Sequence, residues 1–161
     1  MEPRMNLLTN ELGAKINKRF ANISLVIQQS SLPKPTQELV MLRASQINGC
    51  GFCVDFHTKD AAAAGETAVR LNLVAAWRES TVFTEAEQAA LALAEEGTRL
   101  ADAYHGVSDE TWDQVCKHYD EDQIAALVYL VAMVNAANRL GVIVRNKGGS
   151  YEPGMFASLT S

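Results

Sequence analysis

The sequence predicts an all-α protein, a compact bundle of about six or seven helices. Apolar residues recur at spacings of three and four along most of the 161-residue chain, as they do on one face of an amphipathic helix. We find no convincing strand alternation, internal repeat or low-complexity segment. Hydrophobic residues make up 48% and charged residues 20% of the chain, an ordinary composition for a globular protein. We therefore expect residues 1–161 to form a single helical domain.

Start and stop signals divide this pattern into helices. Pro35 fits the first turn of a helix because its missing N–H is not needed there. Thr84-Glu85-Ala86-Glu87 matches a capping box, and Ser108 and Asp120 can cap two further helices. The helices are expected over residues 14–29, 35–47, 50–65, 66–75, 84–102, 108–117 and 120–140. The tail from about residue 146 is rich in Gly and Pro and is expected to be irregular.

The predicted last helix is apolar on every face from Ile124 to Val134. Such a helix is either the central helix of a bundle or part of a subunit interface, so a homo-oligomer is one expectation. The eleven-residue run is shorter than the roughly twenty residues of a membrane-spanning helix. The first thirty residues contain no signal-peptide pattern. We therefore expect a cytoplasmic protein.

Charge and cysteine content exclude several classes of protein. The chain has 14 basic and 19 acidic residues, a net charge of −5, which argues against nucleic acid or an anionic membrane as a partner. Its three cysteines, at positions 50, 53 and 116, are too few for a secreted disulfide framework. In a reducing compartment, a close cysteine pair is more often catalytic or metal-binding than structural.

The segment from Cys50 to His57 places a CxxC pair ahead of a histidine. Cys50 is expected at or just before a helix start, where free N–H groups and the helix dipole favour a thiolate. Cys53 and His57 are four residues apart and share one helical face. The histidine can then accept the thiol proton or pair with the thiolate. Two cysteines at this spacing can also close a short disulfide, so the pattern predicts redox chemistry. It differs from thioredoxin, in which the motif follows a strand.

Glu38 is placed near this segment by simple geometry. If the second and third helices form an antiparallel hairpin that turns at Asn48-Gly49, Glu38 lies level with about position 59, within one turn of His57. A carboxylate there could orient the imidazole and stabilise its protonated form. We therefore take Glu38, His57, Cys53 and Cys50 as the candidate catalytic residues.

The spacing of Glu38, Cys50, Cys53 and His57 resembles the signature of the AhpD-like alkylhydroperoxidase branch of the carboxymuconolactone decarboxylase family. The flanking segments 42–49, 57–61, 75–79 and 135–140 also resemble family segments, and the similarity covers roughly residues 20–142. This resemblance implies an all-α homo-oligomer, often a trimer or hexamer. It also implies peroxide reduction by a cysteine pair that cycles between dithiol and disulfide, without a bound cofactor or metal. An external dithiol or a thioredoxin-like protein would be the reductant.

One position departs from the family pattern. The best-characterised AhpD proteins have a second histidine next to the later cysteine, where this chain has Phe52. One member of the proton relay is therefore absent, which puts in doubt turnover with organic hydroperoxides and the AhpD-type partner. The chain more closely resembles a short branch with a single motif.

Other readings of these residues remain open at the sequence level. Cys50, Cys53 and His57, with Glu38 as a fourth ligand, could bind zinc, which would make the chain a non-enzymatic, zinc-stabilised binding protein. A decarboxylase acting on a carboxymuconolactone-like acid would need neither thiol. Pairing with His57 favours Cys53 as the attacking thiol, whereas expected exposure and the helix terminus favour Cys50.

The remaining residues of chemical interest are given structural expectations. Cys116 is expected to be a packing residue, and His105 a solvated loop residue. Trp77 and Trp112 are expected in the core or an interface. Asn135 and Asn138 need hydrogen-bond partners if buried, and Arg139 can offset the helix dipole.

Overall fold

The computed structural model describes residues 2–103 and 105–156. Within them it contains seven α-helices and two short 3₁₀ helices, and no strand. The α-helices are α1 (Glu11–Gln28), α2 (Lys34–Asn48), α3 (Gly51–Ala63), α4 (Ala68–Leu73), α5 (Glu85–Thr98), α6 (Asp109–His118) and α7 (Glu121–Val144). The 3₁₀ helices are Val74–Glu79 and Leu100–Asp102. The predicted all-α class and helix count are confirmed.

Three helices start at the capping residues that the sequence indicates. Thr84 and Asp120 each form a capping box, in which the side chain accepts the N–H three residues on and that residue's side chain accepts the cap N–H. Ser108 accepts the N–H of Thr111 at the start of α6. Each cap satisfies backbone N–H groups that have no partner inside the helix.

Two helices, α5 and α7, end four residues from the position that the sequence predicts. Helix α5 ends at Thr98 instead of Asp102, and the chain continues as a 3₁₀ turn. Helix α7 runs through Gly141 to Val144 and ends at Arg145, which adopts the left-handed conformation with φ 61°. Gly141 was expected to end this helix, but packing on both sides keeps it helical although glycine costs about 1 kcal/mol there.

Helices α2, α5 and α7 form the centre of the bundle. Helix α2 packs against α3, α5 and α7, and α6 closes the side of α5. Val40, Ala90 and Leu127, one from each central helix, are fully buried together. By length and composition alone α7 could span a membrane, but a core helix passes the same test. The predicted central position of this helix is therefore observed.

A buried carboxylate ties α2 to α5. Glu95 accepts hydrogen bonds from Arg43, from Trp77 Nε1 and from Arg78. Burial alone would raise the pKa of Glu95, but the bonds from Arg78 and Arg43 outweigh it and hold the pKa below its ordinary value. The arrangement locks the middle of the bundle and leaves Trp77 in the core, as expected.

The tail beyond α7 is irregular, as predicted, but residues 148–151 are held against α3. Asp55 Oδ2 accepts the N–H groups of Gly149 at 2.6 Å and Tyr151 at 3.1 Å. Lys59 pairs with Asp55 and donates to the carbonyls of the same two residues. Because Asp55 and Lys59 are four apart, they lie on one face of α3. The first part of the tail is thus docked on α3.

Candidate functional site

The α2–α3 hairpin that sequence geometry suggested is present. Gly49, with φ 66°, caps α2 in the left-handed conformation, and the N–H groups of Gly49 and Cys50 return to carbonyls of the last turn of α2. Glycine adopts this conformation without a Cβ penalty. The chain therefore reverses in two residues and starts α3 with its first turn beside the end of α2.

Cys50 and Cys53 are joined by a disulfide at the start of α3. Cys50 is the N-cap, and its Sγ accepts the N–H of Cys53 at 3.3 Å. Both cysteines are buried, with 2% of Cys50 and 7% of Cys53 exposed. The expectation that Cys50 would be exposed is wrong, because α7 passes directly beside its sulfur at Gly141. The remaining argument about the attacking thiol is that Cys53 shares a helical face with His57, and it favours Cys53.

His57 and Glu38 face each other across the hairpin. His57 Nδ1 lies 3.4 Å from Glu38 Oε2, and the imidazole is largely buried. In the described structure neither of these two atoms makes a hydrogen bond. A small closing movement of either side chain would form a bond between them, and the Nδ1 partner decides which tautomer the imidazole adopts. In this geometry Glu38 can orient the imidazole of His57.

Gly141 belongs to the site although the sequence motif does not include it. A Cβ at this position would lie 2.9 Å from Cys50 Sγ, closer than carbon and sulfur normally approach, and 3.6 Å from Cys53 Sγ, an ordinary contact. Glycine therefore lets α7 pass directly beside the disulfide. A glycine inside an otherwise apolar helix was the available signal, since such a glycine often marks a close approach.

A buried polar network holds the turn before Cys50 against α7. Asn48 Nδ2 donates to the side-chain oxygens of Asn135 and Asn138, each at 2.9 Å. Asn138 donates onward to Ser45 Oγ, and Asn135 to Thr98 Oγ1. Both asparagines of α7 thus have the partners that their burial requires. The network fixes the end of α2, and with it the first turn of α3.

Aromatic side chains cover the outer side of the site. The ring of Phe56 contacts His57 edge-on, with centroids 4.8 Å apart, and Tyr151 packs on Phe56 at 4.5 Å. Phe52 and Phe156 extend the cluster. Burial, the hydrogen bond that its hydroxyl donates to Asp60 and the charge of Asp60 raise the pKa of Tyr151 to about 12. The tail therefore places a neutral, apolar cover near the imidazole.

The other residues of chemical interest lie away from this site or serve the fold. Cys116 is exposed, so the expectation that it packs in the core is wrong: it follows the buried Val115 on α6 and points outward. Trp112 is 41% exposed and lies outside the buried core, so an interface contact remains the prediction for it. His118 Nε2 lies 3.8 Å from Glu85, and His105 lies in a turn. Arg139 donates to the carbonyl and the side chain of Asn135.

Comparison with known proteins agrees with this architecture. The profile of the carboxymuconolactone decarboxylase family matches residues 14–96. The uncharacterised protein YdfG of Bacillus subtilis is 40% identical over 140 residues, 87% of this chain and 94% of YdfG. A crystal structure of a protein of unknown function from Agrobacterium tumefaciens, with a suggested role as the antioxidant defence protein AhpD, superposes with a TM-score of 0.84. It is 30% identical, and the match covers 93% of this chain and 100% of that one.

A more distant neighbour shares the fold alone. The structure of a debrominase in complex with 2,3,4-tribromopyrrole has a TM-score of 0.78 at 17% identity, over 95% of this chain and 81% of that chain.

The fold and the paired cysteines beside a histidine and a glutamate define an AhpD-like helical protein. The chain belongs to the carboxymuconolactone decarboxylase family. Family and fold support an enzyme with a peroxidase-related or decarboxylase-like function.

Proposed function

We propose that the protein is a thiol-dependent peroxidase and disulfide oxidoreductase that reduces hydroperoxides through a Cys50–Cys53 dithiol–disulfide cycle. The observation that carries this proposal is the position of the bonded cysteine pair on the same helix as His57, with Glu38 3.4 Å from the imidazole. Such a cycle requires two cysteines that can form a disulfide and a nearby group that can accept and donate a proton.

In the proposed cycle, Cys53 attacks first. His57, oriented by Glu38, accepts the proton of Cys53, and the thiolate attacks the O–O bond of the hydroperoxide. The products are an alcohol and a sulfenic acid on Cys53. The thiol of Cys50 then condenses with the sulfenic acid and releases water. An external dithiol, or a thioredoxin-like protein, supplies the two electrons that restore both thiols.

The test is a thiol count on reduced protein before and after one equivalent of cumene hydroperoxide. We expect two thiols to be lost per chain and peptide mapping to find a Cys50–Cys53 disulfide. The exposed Cys116 is replaced by serine so that it does not contribute. Absence of this disulfide would refute the peroxidase cycle.

The two relay residues are tested in the same assay. Glu38→Gln and His57→Asn should each slow disulfide formation by about 10²- to 10⁴-fold, the usual contribution of acid–base catalysis. His118→Asn, which changes a histidine on α6, should leave the rate unchanged. An unchanged rate in both relay variants would remove Glu38 and His57 from the mechanism.

The family profile favours one other activity, decarboxylation of a carboxymuconolactone-like acid. This reaction needs neither thiol. If a Cys50→Ser/Cys53→Ser double variant decarboxylates such an acid as fast as the parent protein, the decarboxylase replaces our proposal. Metal analysis of protein purified without chelators separates the zinc alternative, for which we would expect about one zinc per chain.

We also propose that the protein acts as a homo-oligomer in the cytoplasm, with three or six subunits as the expected forms. Helix α1 presents four large apolar side chains to solvent, Leu12, Ile16, Ile23 and Val26. Contiguous apolar surface on one helix is typical of a subunit contact. A reducing compartment would supply the dithiols that the cycle consumes.

A further inference from the structure

An opening beside Cys50 is lined by positive charge. Its volume is about 260 Å³, and it is bounded by the α2–α3 turn (Gly49, Cys50, Gly51) and by the end of α7 with the following residues (Val142, Arg145, Asn146, Lys147). Cys50 is the only cysteine of the pair that lines it. The opening therefore leads from solvent to Cys50, of which 2% is exposed, and neither Cys53 nor His57 lines it.

The two cations of this opening are not used by the fold. Arg145 and Lys147 are exposed, and within residues 2–103 and 105–156 their side chains make no hydrogen bond or ion pair. None of the seven lining residues is acidic. Asp55, which holds the tail, is already paired with Lys59 and accepts two backbone N–H groups. Among the described residues, no carboxylate pairs with either cation of the opening.

This local charge contrasts with the whole molecule, whose net charge is −5. A negatively charged molecule is repelled by the protein at long range, so two unpaired cations at the opening give it one favourable point of approach. A carboxylate and a guanidinium can form two parallel hydrogen bonds. The volume is smaller than that of pockets for drug-sized ligands, so it suits a small thiol or one end of a longer one.

We propose that this opening binds the negatively charged group of the thiol that reduces the Cys50–Cys53 disulfide; the proposal rests on the thiol cycle proposed above. The thiolate of the bound molecule attacks Cys50 Sγ, forms a mixed disulfide there and expels Cys53 as a thiolate, which His57 can protonate. A second thiolate attacks the sulfur of the bound molecule and expels Cys50. Two thiols leave as one disulfide, and the protein gains two electrons and two protons.

The test compares three small thiols that differ in charge. Mercaptoacetate is anionic, mercaptoethanol neutral and cysteamine cationic; each reduces oxidised protein carrying Cys116→Ser, and rates are corrected for the thiolate fraction. We expect mercaptoacetate to react about tenfold faster than mercaptoethanol, and cysteamine to react most slowly. This preference should fall as salt is added, because the charges are exposed and screened within about 10 Å at 0.1 M salt.

Charge variants locate the effect. In Arg145→Gln/Lys147→Gln the ratio of the mercaptoacetate rate to the mercaptoethanol rate should fall to about one. Arg145→Lys/Lys147→Arg should retain the ratio. Lys34→Gln removes one exposed positive charge at the far end of α2, about 20 Å along that helix, and should not change it. If the glutamine variant does not fold, the salt dependence of the rate ratio in the protein with Arg145 and Lys147 intact tests the same charge effect.

The outcomes separate this inference from the peroxidase proposal. A ratio near one in the starting protein, or a ratio that the glutamine variant leaves unchanged, overturns the anion site while the thiol cycle stands. If hydroperoxide forms the disulfide but neither these thiols nor dithiothreitol reduces it in the folded protein, both the cycle and the anion site fail.

Discussion

Single residues decide how closely the redox pair and α7 can approach. Gly141 is the clearest case, because Cys50 Sγ lies only 2.9 Å from where a Cβ would stand. Phe52 has a different effect on the site. Its ring joins the aromatic cover, at the position where the best-characterised AhpD proteins have a second histidine. The proposed chemistry of the cysteine pair therefore depends on His57 and Glu38. The packing of the pair against α7 depends on Gly141, a glycine 88 positions beyond Cys53.

We expect Gly141→Ala to destabilise the oxidised protein by about 1–3 kcal/mol, the usual cost of forcing an extra methyl group into a packed site. The measurement is the free energy of unfolding in urea. The control is a double-mutant cycle with Cys50→Ala, which removes the sulfur 2.9 Å from the new methyl group. The glycine substitution should cost much less in that background, and equal costs in both would show that the sulfur contact is not the cause.

At the scale of elements, α3 is held on three sides. Helix α2 packs along it, α7 contacts it beside the disulfide, and the tail docks through Asp55 and Lys59. The hydrogen bond from Lys59 lowers the pKa of Asp55 below its ordinary value; burial opposes this shift, and the N–H groups of Gly149 and Tyr151 add to it. The docked tail therefore depends on an ionised Asp55.

The sign of this pKa shift predicts how tail docking varies with pH. A carboxylate whose pKa is depressed in the folded state contributes stability above its unfolded pKa of about 4 and loses it as pH falls through the folded value. We expect hydrogen exchange of the Gly149 and Tyr151 amides to be protected near neutral pH and to lose protection, relative to unstructured peptides, below about pH 4. Asp55→Asn should reduce protection already at neutral pH, whereas Asp113→Asn, on α6, should not. Equal protection at neutral pH and below pH 4 would show that tail docking does not depend on the ionisation of Asp55.

At the scale of the whole molecule, the apolar surface is unevenly distributed. Helix α1 packs against α7 and buries Ile27, but Ile16, Ile23 and Val26 on the same helix are exposed. Tyr129 and Ile143 of α7 are exposed as well. A single chain buries its core around α2, α5 and α7 and leaves α1 with an apolar face toward solvent, which favours assembly.

We expect Leu12→Glu/Val26→Glu to shift the mass in sedimentation from that of an oligomer toward that of the 17.5 kDa chain. These residues are 66% and 70% exposed, so the charges are harmless in a monomer and costly in a buried interface. Val69→Glu places a charge on the exposed face of α4 and should leave the mass unchanged. A starting protein that sediments as a monomer would contradict the proposed assembly.

The sequence by itself determined the helices and the residue types of the site. Capping residues such as Thr84 and Asp120 act on their own first turns, and the period of apolar residues is a local property, so both can be read along the chain. The register of Glu38 with His57 could also be predicted, because a two-residue turn leaves an antiparallel hairpin little freedom. Helix ends were predicted less well, as Thr98 and Gly141 show.

Only the tertiary structure decided which groups from distant parts of the chain meet at this hairpin. The burial of Cys50, the passage of Gly141 beside both sulfurs, the cover by Tyr151 and the positive opening formed by Arg145 and Lys147 all require α7 and the tail to pack on α3. Those contacts join residues about 90 positions apart. No local period or capping rule carries that information, because packing depends on the shapes of both surfaces at once.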